Sequence, residues 1–320
     1  MSANLTINNG QAEMFSGNNI IPWHKQGTVV EGLLTAAEAI EAAHLDWEVE
    51  KVPLYYGESK AEYPKMVCVR RTDNNVPLSI TNNTYTLIQN KEAFGFFDEI
   101  IGSGQAVYDT AGSLKNGAVV WLQASVPGNL FVKSRPDDTV EKRILFITSH
   151  NREFALTAMI TPTRVVCSNT LNAAIGNHTN KFKAYHRTNY KTKISEAKRV
   201  LNLTNAYYEE LQTLINKLDT ISLRQEDAVE FLVDLFDKDT EDLNTKQVTI
   251  NHLFHSGKGN RGKTAWDMFN GVTEYLDHYT QYKRTKSRVD STKVSNDHFA
   301  NILFGSAANL KQKALNLLLN

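Results

Sequence analysis

The octapeptide Gly257-Lys258-Gly259-Asn260-Arg261-Gly262-Lys263-Thr264 satisfies the spacing G-x-x-x-x-G-K-[ST]. In a nucleotide-binding loop of this type the glycines let backbone N–H groups wrap phosphates. Lys263 would reach the outer phosphates and Thr264 would hold magnesium. The surroundings argue against a nucleotide hydrolase. Residues 265–320 are all that follow, with no hydrophobic strand ending in Asp and no strand–helix alternation. The plainer reading is a basic loop before a helix, which can still hold a nucleic-acid phosphate at the helix N-terminus.

Other reactive residue types carry less. Cys167, in Arg164-Val165-Val166-Cys167, would need an oriented base such as His178 or His186 to act as a nucleophile. Cysteine is among the most commonly buried residue types, so a core role is the better reading. His252 and His255 lie three apart without a carboxylate or cysteine at zinc-ligand spacing. Asp237, Asp239, Glu241 and Asp242 lack the glycine and terminal glutamate of a calcium loop and read as a solvated turn. No catalytic residue, metal ligand or cofactor site is assigned.

The segment Lys181-Phe182-Lys183-Ala184-Tyr185-His186-Arg187-Thr188-Asn189-Tyr190-Lys191-Thr192-Lys193 combines cations with aromatics. Cations pair with phosphates, and exposed rings stack on bases with little regard to sequence. In an extended chain Lys181, Lys183 and Tyr185 would share one face, opposite Phe182 and Ala184. The expected nucleic-acid contacts are Lys181, Lys183, Tyr185, Arg187, Tyr190, Lys191 and Lys193, with Arg164. Secondary basic positions are Lys258, Arg261, Lys263, Lys283, Arg284, Lys286 and Arg288. The bland alternative is a solvated face, or one paired with acidic helices.

The elements that must carry these residues change character along the chain. Strands are expected over Trp47–Tyr56, Met66–Arg71, Leu78–Ile80, Tyr85–Ile88, Gln105–Thr110, Ala118–Val126, Glu141–Ser149 and Ala155–Ile160. The piece Arg135-Pro136-Asp137-Asp138 reads as a turn. Thr35–His44 reads as a helix with Thr35 and Glu38 at capping-box spacing, and Asn90 as the cap of a helix bearing Phe94 and Phe97. After Pro162 the pattern turns helical over Thr163–Ile175, Ile194–Leu218, Glu226–Phe236 (with Ser222 and Gln225 as its box), Thr264–Tyr279 and Val294–Leu319, broken near Gly305. The fold class is therefore α+β: a mostly antiparallel sheet with packed helices in front and a helical C-terminal half. The expected organisation is an irregular lead-in over 1–34, a sheet domain over 35–190 and a helical region over 191–320.

Charge separates along the chain although the net charge is zero. Residues 1–150 hold 12 Lys+Arg against 17 Asp+Glu, and residues 151–320 hold 23 against 18. Phe154–Ser195 contains no acid, whereas Glu209–Asp242 holds eleven acids against Lys217, Arg224 and Lys238. Two cysteines exclude a disulfide framework. Apolar runs such as Ile144–Ile147 are too short for a bilayer, and the polar start Met1-Ser2-Ala3-Asn4 lacks a signal-peptide layout, so a cytoplasmic location without a membrane partner is expected.

Asn83–Asn90, Phe94–Asp98, Tyr108–Leu114, Arg164–Leu171, Asn270–His278 and Phe304–Ala308 together resemble the phage/plasmid-like protein family, a domain of unknown function in bacteriophages, prophages and conjugative plasmids. The resemblance covers nearly the whole chain and implies a mobile-element protein, in the host cytoplasm if phage-encoded. It supplies no catalytic residues. The architecture is similar to that of phage single-strand annealing proteins, which hold single-stranded nucleic acid in rings or filaments. The expected function is single-stranded nucleic-acid binding, foremost of DNA, in phage or plasmid metabolism, annealing- or recombination-like. The chain would act as a non-catalytic homo-oligomer larger than a dimer. The alternatives are a protein-binding module against host defence with no nucleic-acid ligand, and a nucleotide hydrolase using Gly257–Thr264.

Overall fold

The computed structural model describes residues 5–17, 25–32, 34–101, 107–164, 169–170, 181–187, 189–193, 195–198, 204–237, 243–280, 301–302 and 305–320. The fold is α+β, and the chain forms two compact units. The first holds residues 1–127, 144–159 and 181–202; the second holds 128–143, 160–180 and 203–320.

The first unit begins with strands β1 (Ile7–Asn8), β2 (Gln11–Ala12), β3 (Met14–Ser16) and β4 (Thr28–Val29). The stretch expected as an irregular lead-in thus joins a sheet. Met14, Phe15 and Ser16 are buried, and β3 pairs antiparallel with β8 (Val107–Leu114) and parallel with β4. That approach requires Gly112, where a Cβ would stand 2.9 Å from the Glu13 carbonyl oxygen. Strand β9 (Val119–Val132) pairs antiparallel with β8, and β10 (Arg135–Ser149) lies beside β9. Strand β11 (Leu156–Ile160) pairs with β10 and, antiparallel, with β14 (Lys181–Ala184). A second antiparallel sheet comprises β5 (Val49–Tyr56), β6 (Ala61–Arg71) and β7 (Pro77–Asn82).

Helix α1 (Ala36–Ala42) carries the expected capping box: the Glu38 N–H donates to Thr35 Oγ1 at 3.3 Å and the Thr35 N–H to Glu38 Oε2 at 2.8 Å. Helix α2 (Asn90–Ile101) buries Phe94, Phe96 and Phe97. Asn90 is its first residue and not its cap. The buried Asn90 side chain donates to the Leu45 carbonyl at 2.9 Å, and Glu92 accepts from the Gln89 N–H in the capping role. Tyr85–Ile88 is irregular chain where a strand was expected. The core gathers Phe15, Phe94, Phe97, Leu122, Phe146 and Phe182.

In the second unit, the Arg135–Asp138 piece expected as a turn starts β10, and the turn falls on Lys133 and Ser134. Arg135 is buried among carboxylates, a tertiary demand that overrides local turn preference. The helix expected over Thr163–Ile175 is corrected at residues 163–164 and 169–170, and the rest of that span lies outside the described residues. Thr163–Arg164 and Asn169–Thr170 are strands β12 and β13, paired antiparallel, and β12 pairs with β10. Thr163 faces Thr170 in this pairing, and β-branched residues suit a pleated surface better than a helix. Helices follow: α3 (Thr204–Thr220), α4 (Gln225–Leu235), α5 (Thr245–Ser256), α6 (Ala265–Glu274, continued by a wider turn through Tyr279) and α7 (Ser306–Leu319). Helix α4 is capped through Asp227, which accepts from the Arg224 N–H at 2.9 Å, and not through Ser222 and Gln225. Tyr207, Tyr208, Ile215, Leu232, Phe254, Trp266, Met268 and Leu315 form the core.

Candidate nucleic-acid interface

Strand β14 alternates as its sequence demands. Lys181 and Lys183 are exposed, while Phe182 and Ala184 are buried. Phe182 packs on the Phe96 ring at 6.4 Å, so the apolar positions fix which way the lysines point. The alternation continues past the strand: Tyr185 points out at 68% exposure, His186 turns in, and Arg187 points out. The Arg187 guanidinium lies 5.9 Å from the Tyr185 ring centroid, making a cation–aromatic pair on the surface.

His186 anchors this turn. Its Nδ1 hydrogen-bonds with the Tyr85 hydroxyl at 2.7 Å and its Nε2 with Thr148 Oγ1 at 3.0 Å. Its ring stacks on Tyr85 with centroids 5.4 Å apart and planes at 20°. Burial pushes the His186 pKa down to about 4 and the Tyr85 pKa up to about 12. Deeper in the unit, His150 Nε2 hydrogen-bonds with Asn90 Oδ1 at 2.9 Å, and its ring meets Trp47 edge-on. Burial, reinforced by His186 and Arg71, holds His150 down at about 3. These shifts favour neutral imidazoles and a protonated phenol near pH 7, and the two hydrogen bonds of His186 tie the turn after β14 to Tyr85 and Thr148.

The other expected contacts divide. Lys191 and Lys193 are exposed on a 3-10 turn over Tyr190–Lys193, and Lys193 pairs with Glu196 at 2.7 Å. Tyr190 is corrected: it is buried, 5.9 Å from Phe96, and has no face for a base. The tight turn ends the two-residue period and brings this ring back to the core. The backbone of Arg164 pairs with Val140 and Asn169 in the other unit. Lys283, Arg284, Lys286 and Arg288 lie outside the described residues, as do Cys167 and His178.

Lys258, Arg261 and Lys263 are exposed on the loop between α5 and α6, in the second unit. The loop follows a helix, whereas a phosphate-binding loop follows a strand. Its helix N-terminus is already filled. Asp267 Oδ2 accepts from the N–H groups of Lys263 at 3.1 Å and Thr264 at 3.2 Å, and Thr264 Oγ1 accepts from the Asp267 N–H. Arg135 clamps the same carboxylate at 2.7 Å and Asp219 at 3.0 Å, and donates to the Gly259 carbonyl. A buried carboxylate therefore sits where a phosphate would have to bind, which corrects both phosphate readings of this helix start. Nothing in the sequence separation of Arg135 from Asp267 signals the network.

Among the described residues no group of three or more His, Cys, Asp and Glu is placed to hold a metal ion. His255 Nε2 hydrogen-bonds with Gln225 Oε1 at 2.7 Å and His252 Nε2 with Ser256 Oγ at 3.0 Å. No described helix is long and apolar enough to cross a membrane. Residues 77–298 match the family described as Domain of unknown function (DUF932). No curated protein and no solved structure matches the chain.

Proposed function

We propose that this chain, which belongs to the DUF932 family, binds single-stranded nucleic acid, foremost DNA, as a non-catalytic homo-oligomer larger than a dimer. The observation that carries the reading is the outward face of β14 and its turn. Lys181 and Lys183 are exposed there with Tyr185 and Arg187, next to His186, which is half-buried and bonded to Tyr85, and Lys191 is exposed on the turn that follows. Lysines neutralise phosphates, and a ring with a guanidinium beside it stacks on any base that is already out of a duplex. That favours a single strand over a double helix. The resemblance of the sequence motifs to those of phage and plasmid proteins supports a role in mobile-element DNA metabolism, annealing or recombination included. The acids of α3 and α4 against the basic segments favour head-to-tail assembly, the geometry of rings and filaments.

Fluorescence anisotropy with single-stranded DNA, duplex DNA and single-stranded RNA across a salt series tests this. Single-stranded DNA should bind most tightly, with affinity falling steeply as salt rises. Charge reversal by Lys181→Glu with Lys183→Glu should weaken binding to all sequences alike. The log–log salt slope should drop by ~0.7 for each phosphate of a single strand that is no longer neutralised. A wild-type protein that binds no polymer at low salt sinks the reading and leaves the protein-binding module in its place.

A further inference from the structure

The tip of the β5–β6 hairpin presents the largest cluster of exposed rings among the described residues. Tyr55, Tyr56 and Tyr63 are 62%, 58% and 51% exposed, and Tyr56 meets Tyr63 edge-on at 6.0 Å. A break in register puts them there. Pro53 faces Val67 and Tyr55 faces Glu62, so β5 advances two residues while β6 advances five. The extra residues, Tyr63-Pro64-Lys65-Met66, form a bulge in the pairing with β5, while Met66 stays paired with Asn82 of β7 and the Lys65 carbonyl accepts from the Asn83 N–H; Pro64 sits where a missing N–H is tolerated. Bulges of this kind re-aim side chains. The turn that closes the tip, Gly57-Glu58-Ser59-Lys60, keeps both ends left-handed, with φ of 69° at Gly57 and 49° at Lys60.

We infer that this tip is the surface through which one copy of the chain docks on a second copy. Tyrosine gives a broad, stiff contact with a polar end, which is why it is over-represented where proteins meet. The charges choose the partner. Glu58, Lys60, Glu62 and Lys65 are all exposed and cancel, so the tip offers a polyanion no net attraction. A patch holding both signs is complementary to itself under a two-fold axis, acid against base in both directions. A two-fold contact closes a dimer, so the inference adds a second interface to the head-to-tail contact of the proposed function, and it is independent of the nucleic-acid part.

Sedimentation velocity over a concentration series at low salt, with thermal melts as the folding control, tests the docking. The triple substitution Tyr55→Ser, Tyr56→Ser and Tyr63→Ser should raise the self-association constant Kd by ~100-fold or more, since central tyrosines dominate such interfaces. The melt should stay put because these rings are exposed. An all-basic tip (Glu58→Lys, Glu62→Lys) and an all-acidic tip (Lys60→Glu, Lys65→Glu) should each self-associate weakly, whereas their equimolar mixture should recover wild-type association. A wild-type chain that stays monomeric overturns both the docking and the oligomer. Association in wild type that survives in every tip variant overturns the docking alone. Loss of single-stranded DNA binding with unchanged association in the tyrosine variant also overturns it, and assigns the tip to nucleic acid.

Discussion

Burial disfavours the charged form of two histidines, His186 and His150, and ties the stability of the fold to acid pH. Folding depresses both pKa values below that of a free imidazole, so the unfolded chain takes up protons that the folded one refuses. Their stabilisation is complete above ~6.5 and is lost as pH falls toward about 4 for His186 and about 3 for His150. Unfolding free energies from denaturant melts between pH 7 and 4.5 should fall by up to ~1.4 kcal/mol per pH unit for each histidine, and His186→Gln should flatten the slope. Tyr85 holds the same anchor, and Tyr85→Phe removes its hydroxyl while keeping the ring. That change should weaken DNA binding ~3-fold to 10-fold in a wild-type background and scarcely at all in a Tyr185→Ala background, the non-additivity expected of residues acting through one another. Additive effects in an anisotropy cycle would separate Tyr85 from the site. The outward lysines of β14 are legible in the sequence because Phe182 and Ala184 declare the period. The anchor is not, since Tyr85 and His186 stand 101 residues apart and neither carries a local signal.

Among the elements, helix identities are more legible than caps: Thr35 with Glu38 caps its helix as expected, but Asn90 and the Ser222–Gln225 pair do not cap theirs. Thr35 with Glu38 and Thr264 with Asp267 mark helix starts through side chains three residues apart, a local chemistry that survives folding. Helix α5 is hard to read from sequence although Asn244 and Gln247 form the same box, because its β-branched Thr245, Val248, Thr249 and Ile250 blur the helical period. The loop before α6 shows how a spacing can mislead. Gly262 has φ of 66°, and a Cβ there would lie 2.2 Å from His255 Nδ1, so its glycine answers to packing and backbone geometry. Arg135→Ala should destabilise the protein by ~3–5 kcal/mol, because Asp219 and Asp267 lose their shared cation in a buried setting. Lys263→Ala, at an exposed site, should stay within ~0.5 kcal/mol. Urea melts of the two variants decide between a structural staple and a phosphate loop, as does calorimetry with a nucleoside triphosphate and magnesium. A large nucleotide-binding heat that disappears in Lys263→Ala would restore the hydrolase.

At the scale of the whole chain, the path through the units decides what can be cut. The backbone leaves one unit for the other after residues 127, 143, 159, 180 and 202. Strands β9 and β10 each contribute residues to both. A fragment of residues 1–202 would therefore keep all of the first unit, yet it would carry Leu130, Val132, Val140 and Ile160 without the helices that bury them. Exposed apolar side chains on strands are an aggregation hazard. A fragment of residues 203–320 would keep those helices but lack the same four side chains and Arg135, leaving Asp219 and Asp267 in mutual repulsion without their cation. Neither piece should fold to a cooperative unit when made alone, whereas the two made together should complement each other. Circular dichroism melts of the separate and mixed fragments check this. A cooperative transition in isolated 203–320 would show that its helices need nothing from the hairpin, and that the strands are an accessory to that core.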